Sequence, residues 1–174
     1  MGNKSAGKDT YANMAIISVT ESAANTLTFK KLETGIGFME KAAWIINRVE
    51  YNMGSLLAAN FNGDGDKLDF GISVANTFTT PSTTEITIID QMTLERADYG
   101  TAAVALFRAY PIVKDFSSMP GGGILLPPNP VYLWARGTGL VAATSVVARI
   151  YYTILEMSTE DYWQLLEARR VLSS

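Results

Sequence analysis

"GTGLVAATSVVARIYYTILE" occupies residues 137–156, and its reading separates two fold classes. Gly137, Gly139 and Ala142 match the G-x-G-x-x-G/A spacing of a dinucleotide-binding turn. That chemistry needs glycines that open a helix, so that the helix N-terminus meets a pyrophosphate. The residues after this turn, "ATSVVARIYYTILE", instead alternate β-branched and aromatic side chains as a strand does. The unit therefore reads as strand, hairpin-type turn, strand. This excludes the nucleotide site and turns the reading of the chain toward β structure.

The neighbouring segments agree. In "LDFGISV", Leu68, Phe70, Ile72 and Val74 alternate with Asp69, Gly71 and Ser73, the period of a half-buried strand. In "EITIIDQMTLE", Ile86, Ile88, Met92 and Leu94 share one face, and Thr87, Gln91, Thr93 and Glu95 the other. Further strands are expected over 14–20, 26–32, 42–53, 101–110, 131–136 and 148–157. "NFNGDGDK" and the Thr-rich "NTFTTPSTT" with Pro81 supply turn chemistry between them. The total is about eight strands, spaced as in an all-β sandwich or barrel. "STEDYWQLLEARRVL" then changes period. Ser158 caps a helix with Asp161 three residues on, and Glu160 and Asp161 suit its positive end, so a short C-terminal helix is expected over 159–172.

Composition narrows the function classes. The chain has 174 residues, 48% of them hydrophobic and 18% charged, which suits one globular domain over 13–174 behind a flexible arm over 1–12. The net charge of −3 offers no basic stripe for displacing counterions from phosphates, and Lys4 and Lys8 alone do not make one. Direct nucleic-acid binding is disfavoured. The chain has no cysteine and no histidine, which removes thiolate chemistry, the commonest zinc ligand and the Ser-His-Asp arrangement together. No apolar run reaches the length of a membrane-spanning helix. "MGNKSA" misses the myristoylation pattern because Ala6 stands where Ser or Thr is needed.

A few residue patterns invite chemical readings. Asn60, Asn62 and Asp64 fall at ligand positions of a calcium loop, with Gly65 at its sharp turn. Gly71, however, stands where a bidentate Glu is required, so the turn over 60–66 reads as a plain turn, with a surface Ca²⁺ as the open alternative. "PGGGILLPPNPVYLWARGTG", over 120–139, lacks the spacing and the cation of a phosphate loop. Gly121, Gly122 and Gly123 permit positive φ, and Pro127, Pro128 and Pro130 stiffen the exit, so sheet pairing is expected to begin near Val131. Asp90 is the one acid on an apolar strand face, and a salt bridge suits it better than catalysis. Trp44, Trp134, Tyr132, Tyr151 and Tyr152 could line a sugar-binding face, although such residues more often serve the core or subunit contacts. No catalytic, cofactor-binding or metal-ligating set is assigned.

About eight strands, an arm and no catalytic set together look like a jelly roll. "PIVKDFSSMPGGGILLPPNPVYLWARGTGLVAATSVVARIYYTILEMSTEDYWQLLEARRVL" resembles the C-terminal half of single jelly-roll capsid proteins of small icosahedral viruses, of the phage, archaeal and environmental kinds. The resemblance covers roughly residues 85–172 in texture and implies a single jelly-roll sandwich of about eight antiparallel strands with a short C-terminal helix. It implies a structural subunit that is no enzyme and needs no cofactor. That subunit assembles with copies of itself, and with other virion proteins, into an icosahedral shell, is made in the host cytoplasm and resides in the virion. The segment Leu125 to Trp134, and Tyr162 with Trp163, are the expected subunit contacts. A carbohydrate-binding or receptor-attachment jelly roll, with tryptophans as the platform, is the alternative. A cupin-type enzyme is disfavoured because its metal site needs histidines.

Overall fold

The structure, a computed structural model, describes residues 13–32, 41–53, 60–97, 111–127 and 130–172. These residues form nine strands and one helix, in the order β1 (Asn13–Thr20), β2 (Thr28–Leu32), β3 (Ala42–Asn52), β4 (Lys67–Ser73), β5 (Ile88–Glu95), β6 (Ile112–Asp115), β7 (Ile124–Leu126), β8 (Val131–Thr138), β9 (Ser145–Glu156) and α1 (Thr159–Leu172). The arm expected over 1–12 and the strand expected over 101–110 lie outside the described residues.

The strands form two antiparallel sheets. One has the order β1-β9-β3-β6, with β7 also paired to β3, and the other the order β2-β8-β4-β5. Sequence neighbours such as β1 and β2, or β8 and β9, lie in opposite sheets. The chain therefore winds between two layers, which is the jelly-roll arrangement. Leu68, Phe70, Ile72, Val131, Leu133 and Ala135 from the four-stranded sheet meet Ile17, Trp44, Ile46, Val49, Val146 and Ile150 from the five-stranded one.

Two bulges set the phase of that core. On β3 the register shifts between Ile46 and Arg48, so Trp44 and Ile46 face inward before Asn47, while Val49 and Tyr51 face inward after it. Asn47 is also the point where the edge changes partner. β7 pairs with β3 before it and β6 pairs with β3 after it, so the two short strands fill one edge position. The Asn47 carbonyl accepts from Phe116 N–H at 2.7 Å, and its side-chain amide donates to the Gly122 carbonyl at 2.7 Å. This corrects the expectation that pairing begins near Val131. Gly123, at φ 153°, brings its backbone against the Ile46 carbonyl where a Cβ would collide, so β7 pairs three residues before the prolines act. The second bulge lies between Ile72 and Ser73 on the β4–β5 pair, and it turns Ile89 rather than Ile88 toward the core.

The turn at Gly137–Thr138–Gly139 is also corrected. It joins two strands as expected, but β8 and β9 lie in different sheets, so it is a crossing between layers and not a hairpin. Gly139 adopts φ 76° there. Glu21, buried at the end of β1, holds the crossing. The Thr26 and Gly137 N–H groups donate to its Oε1 at 3.1 and 2.7 Å, and the Thr144 N–H donates to its Oε2 at 3.0 Å. The Glu21 N–H returns a bond to the Thr144 carbonyl. Asn25, at φ 63°, adds a two-way amide pairing with the Leu140 backbone. One carboxylate thus ties the β1–β2 crossing to the β8–β9 crossing.

Removing a charged acceptor strands buried donors and costs about 3–5 kcal/mol, as in the loss of one partner of a buried pair. Glu21→Ala should lower unfolding stability by about 3 kcal/mol or more, with Glu21→Gln intermediate because one oxygen remains. Urea midpoints of the three proteins measure this, and an unchanged midpoint for Glu21→Ala would remove the clamp from the account.

Candidate functional site

Asp90 is the acid that the sequence singled out. It sits on β5, opposite Ile72, and points across the sandwich. The Tyr51 hydroxyl on β3 donates to its Oδ2 at 3.0 Å, and Lys114 Nζ on β6 lies 3.8 Å from its Oδ1. The salt bridge is present, and it joins the two sheets rather than facing a cleft. Burial pushes the Asp90 carboxyl above its ordinary range, with the Tyr51 hydrogen bond and Lys114 opposing. Burial, and then the nearby Asp90 charge, push the Tyr51 hydroxyl well up, so it remains a donor.

The turn over 60–66 takes its shape from Asp66. The Asn62 and Gly63 N–H groups donate to Asp66 Oδ2 at 2.6 and 2.7 Å, and Arg96 joins it through backbone bonds to Gly65 and Asp66. Arg96 Nη1 also donates to the Phe61 carbonyl. Among the described residues, no group of three or more acidic side chains is arranged to hold a metal ion.

The aromatic residues fall in two environments. Trp44 is fully buried in the core, and its Nε1–H donates to the Pro127 carbonyl at 3.1 Å. Trp134 is equally buried, but on the outer face of the four-stranded sheet. Phe29 flanks it there in register, and Phe78, from the Thr-rich connection, closes over both, with ring centroids 4.9 Å from Phe29 and 5.5 Å from Trp134. These burials close off one alternative and correct one expectation. Neither tryptophan offers a sugar platform, and Val131, Leu133 and Trp134 are no contact surface, since Val131 and Leu133 face the core and Phe78 covers Trp134 on the outer face. Leu125 is exposed in that segment. On the helix, Trp163 is 56% exposed while Tyr162 is buried. Tyr132, Tyr151 and Tyr152 are half-buried.

Gly71 makes the Trp134 arrangement possible. A Cβ there would collide with the Asp90 carbonyl and come 2.9 Å from Trp134 Cζ2, so the indole lies across the strand. Trp134 Nε1 and Gln91 Oε1, on either side of Gly71 in register, are buried without hydrogen-bond partners. Two such groups cost about 2–6 kcal/mol together. Burying Phe78 and forming two edge-to-face contacts returns about 2.5–6 kcal/mol. The two sums are of the same size.

An exposed surface of mixed character is the outer face of the five-stranded sheet. Met14, Tyr151, Arg48 and Asp115 form one row across it, and Ile16, Arg149, Glu50 and Val113 the next. Arg48 pairs with Glu50 and stacks over the Tyr151 ring at 5.5 Å, while Arg149 lies 4.0 Å from Glu50. Beside them is a shallow depression of about 120 Å³ lined by Glu50, Asn52, Pro111, Val147 and Arg149. Met14, Ile16 and Val113 are exposed at 52, 57 and 46% and bracket the charges from both edges. The sequence marked none of these as contacts, because each is an ordinary alternating residue of an edge strand.

No family model and no curated protein matches the chain. Among solved structures it is similar to the human polyomavirus 6 VP1 pentamer, at 9% identity over 83% of this chain and 95% of that one, with a TM-score of 0.49. It is also similar to the unassembled KI polyomavirus VP1 pentamer, at 12% identity, 77% and 74% coverage and a TM-score of 0.44. A third is the VP1 of trichodysplasia spinulosa-associated polyomavirus, at 9% identity, 83% and 94% coverage and a TM-score of 0.44.

Asp90 gives a pH test. Its folded pKa lies above the unfolded one, so its contribution is complete below about pH 4 and is lost as pH rises through the raised value. Asp90→Asn keeps an acceptor for Tyr51 and removes that titration. Urea midpoints between pH 3.5 and 7 should fall less steeply for the variant than for the parent, leaving it no less stable at pH 7. Parallel pH curves, or a much weaker variant at pH 7, would contradict this.

Proposed function

We propose that the chain is a structural viral capsid subunit that assembles with copies of itself into an icosahedral shell. The observation that carries this reading is the outer face of the five-stranded sheet. Exposed Met14, Ile16 and Val113 flank a charged centre of Arg48, Glu50 and Arg149, an apolar and polar mixture suited to contact with another protein surface. Jelly rolls serve as shell subunits, lectins and cupins. Both tryptophans on the sheets are buried, which weakens the lectin reading, and a chain without histidine does not supply the usual cupin site.

The subunit comprises one jelly-roll domain over 13–174 behind an arm over 1–12, and it works by burying apolar surface at repeated interfaces, with symmetry setting closure. It is no enzyme, is made in the host cytoplasm and resides in the virion, with other virion proteins as further partners. Its net charge of −3 favours a shell that makes few direct contacts with nucleic acid. No described helix is long and apolar enough to cross a membrane. The sequence resemblance points to phage, archaeal and environmental kinds, whereas the similar solved structures are polyomaviral. The proposal therefore stands at the level of single jelly-roll shell proteins.

Negative-stain electron microscopy of the expressed protein tests the proposal, with closed particles or capsomers expected. Ile16→Glu should abolish them while leaving the fold intact, because Ile16 is exposed and Arg149 beside it in register can pair with the new charge. Particles that form equally well with Ile16→Glu would move the interface elsewhere, and fields with no assembly of the parent protein would count against the shell role.

A further inference from the structure

The connection over 74–87 crosses the outer face of the four-stranded sheet, and its grip there is narrow. Its base is closed by the Val74 N–H donating to the Thr87 carbonyl at 2.9 Å. Inside it, Ser82, Thr84, Glu85 and Thr87 bond to one another, and Ser73 Oγ donates to the Ala75 carbonyl. Among the described residues, the hydrogen bonds of 75–86 stay within 73–88. Phe78 is the strap's one buried side chain, while Asn76, Thr77, Thr79 and Thr80 around it are exposed. Val74 at its base packs on the core, and beyond it residues 75–86 are a self-contained loop pinned by one ring.

The indole that Phe78 packs on carries a group that is costly to bury, and Gln91, across Gly71, carries another. Trp134 Nε1 is a donor without an acceptor, and Gln91 Oε1 is an acceptor without a donor. They flank Gly71, and the indole edge next to Nε1 lies over that residue. Closing the strap removes water from the indole N–H and offers nothing in exchange, while lifting Phe78 lets water reach it. The cost of the unpaired indole donor offsets part of the gain from the Phe78 contacts, so the strap is held less firmly than its buried ring alone implies.

We infer that residues 75–86, hinged at the Val74–Thr87 bond, form a latch that opens locally, without unfolding of the sandwich. Its open state presents the Phe29 and Trp134 rings together with an unspent indole donor and the Gln91 carbonyl. The latched face belongs to the four-stranded sheet and the proposed contact face to the five-stranded one, so latch and assembly fail or succeed separately.

Trp44 supplies an internal control, being equally buried but hydrogen-bonded to Pro127. Indole N–H exchange, measured by NMR on the unmodified protein with the Trp44 and Trp134 signals assigned by NOEs to Tyr152 and Phe78, distinguishes local from global opening. The Trp134 N–H should exchange about 100-fold faster than that of Trp44 and respond little to low urea, while Trp44 exchange accelerates with urea. Phe78→Ala should speed Trp134 exchange by a further factor of about 10. Equal rates with equal urea dependence for Trp134 and Trp44 would overturn the latch. That comparison needs no variant, so it holds even if Phe78→Ala does not fold.

Discussion

A single carboxylate, Glu21, holds together two of the places where the chain passes from one sheet to the other. A jelly roll is exposed to failure at such crossings, because backbone groups leave their ladders there and must find partners without solvent. Glu21 answers for Thr26 on one crossing and for Gly137 and Thr144 on the other. A buried charge is tolerated when hydrogen bonds replace its hydration, and three backbone donors supply that replacement. With the corners joined, β1 is held against β9 and β2 against β8, and the two layers share one end. Asp90 is a second tie between the sheets, reaching from the β5 edge to Tyr51 and Lys114.

Between those ties the packing depends on phase. Side chains alternate strictly along a strand, so one extra residue exchanges inside for outside. Asn47 supplies such a residue on β3 and converts a pattern that would bury Arg48 into one that buries Val49 and Tyr51. It also satisfies the chain at the break between β6 and β7. The shift between Ile72 and Ser73 does the same for Ile89. Both are devices for holding long strands over a curved core.

These devices explain what could be read from the sequence. Regular alternation made β4 legible almost residue by residue, and the capping pair at Ser158 and Asp161 placed α1, where Ser158 Oγ accepts from the Asp161 N–H. β6 and β7 were missed because four and three residues carry too little period, and because glycines and prolines flank β7. The crossing at Gly139 looked like a hairpin because a turn's residues do not reveal which sheet receives the next strand. The function of Glu21 was hidden for the same reason, since its partners on the second crossing lie more than a hundred residues away. Trp134 misled in another way. Alternation placed it correctly on an outer face, and only the three-dimensional path of Phe78 shows that this face is covered.

The surfaces that remain open are therefore less aromatic than the sequence suggested. Among them are edge and outer-face positions of the five-stranded sheet, where methionine, isoleucine and valine surround an arginine–glutamate cluster. Sedimentation velocity of the unmodified protein over a wide range of concentration, salt and pH tests most directly whether this surface meets another copy. Self-assembly predicts species heavier than the single chain, populated by mass action. A single-chain species throughout would contradict the account.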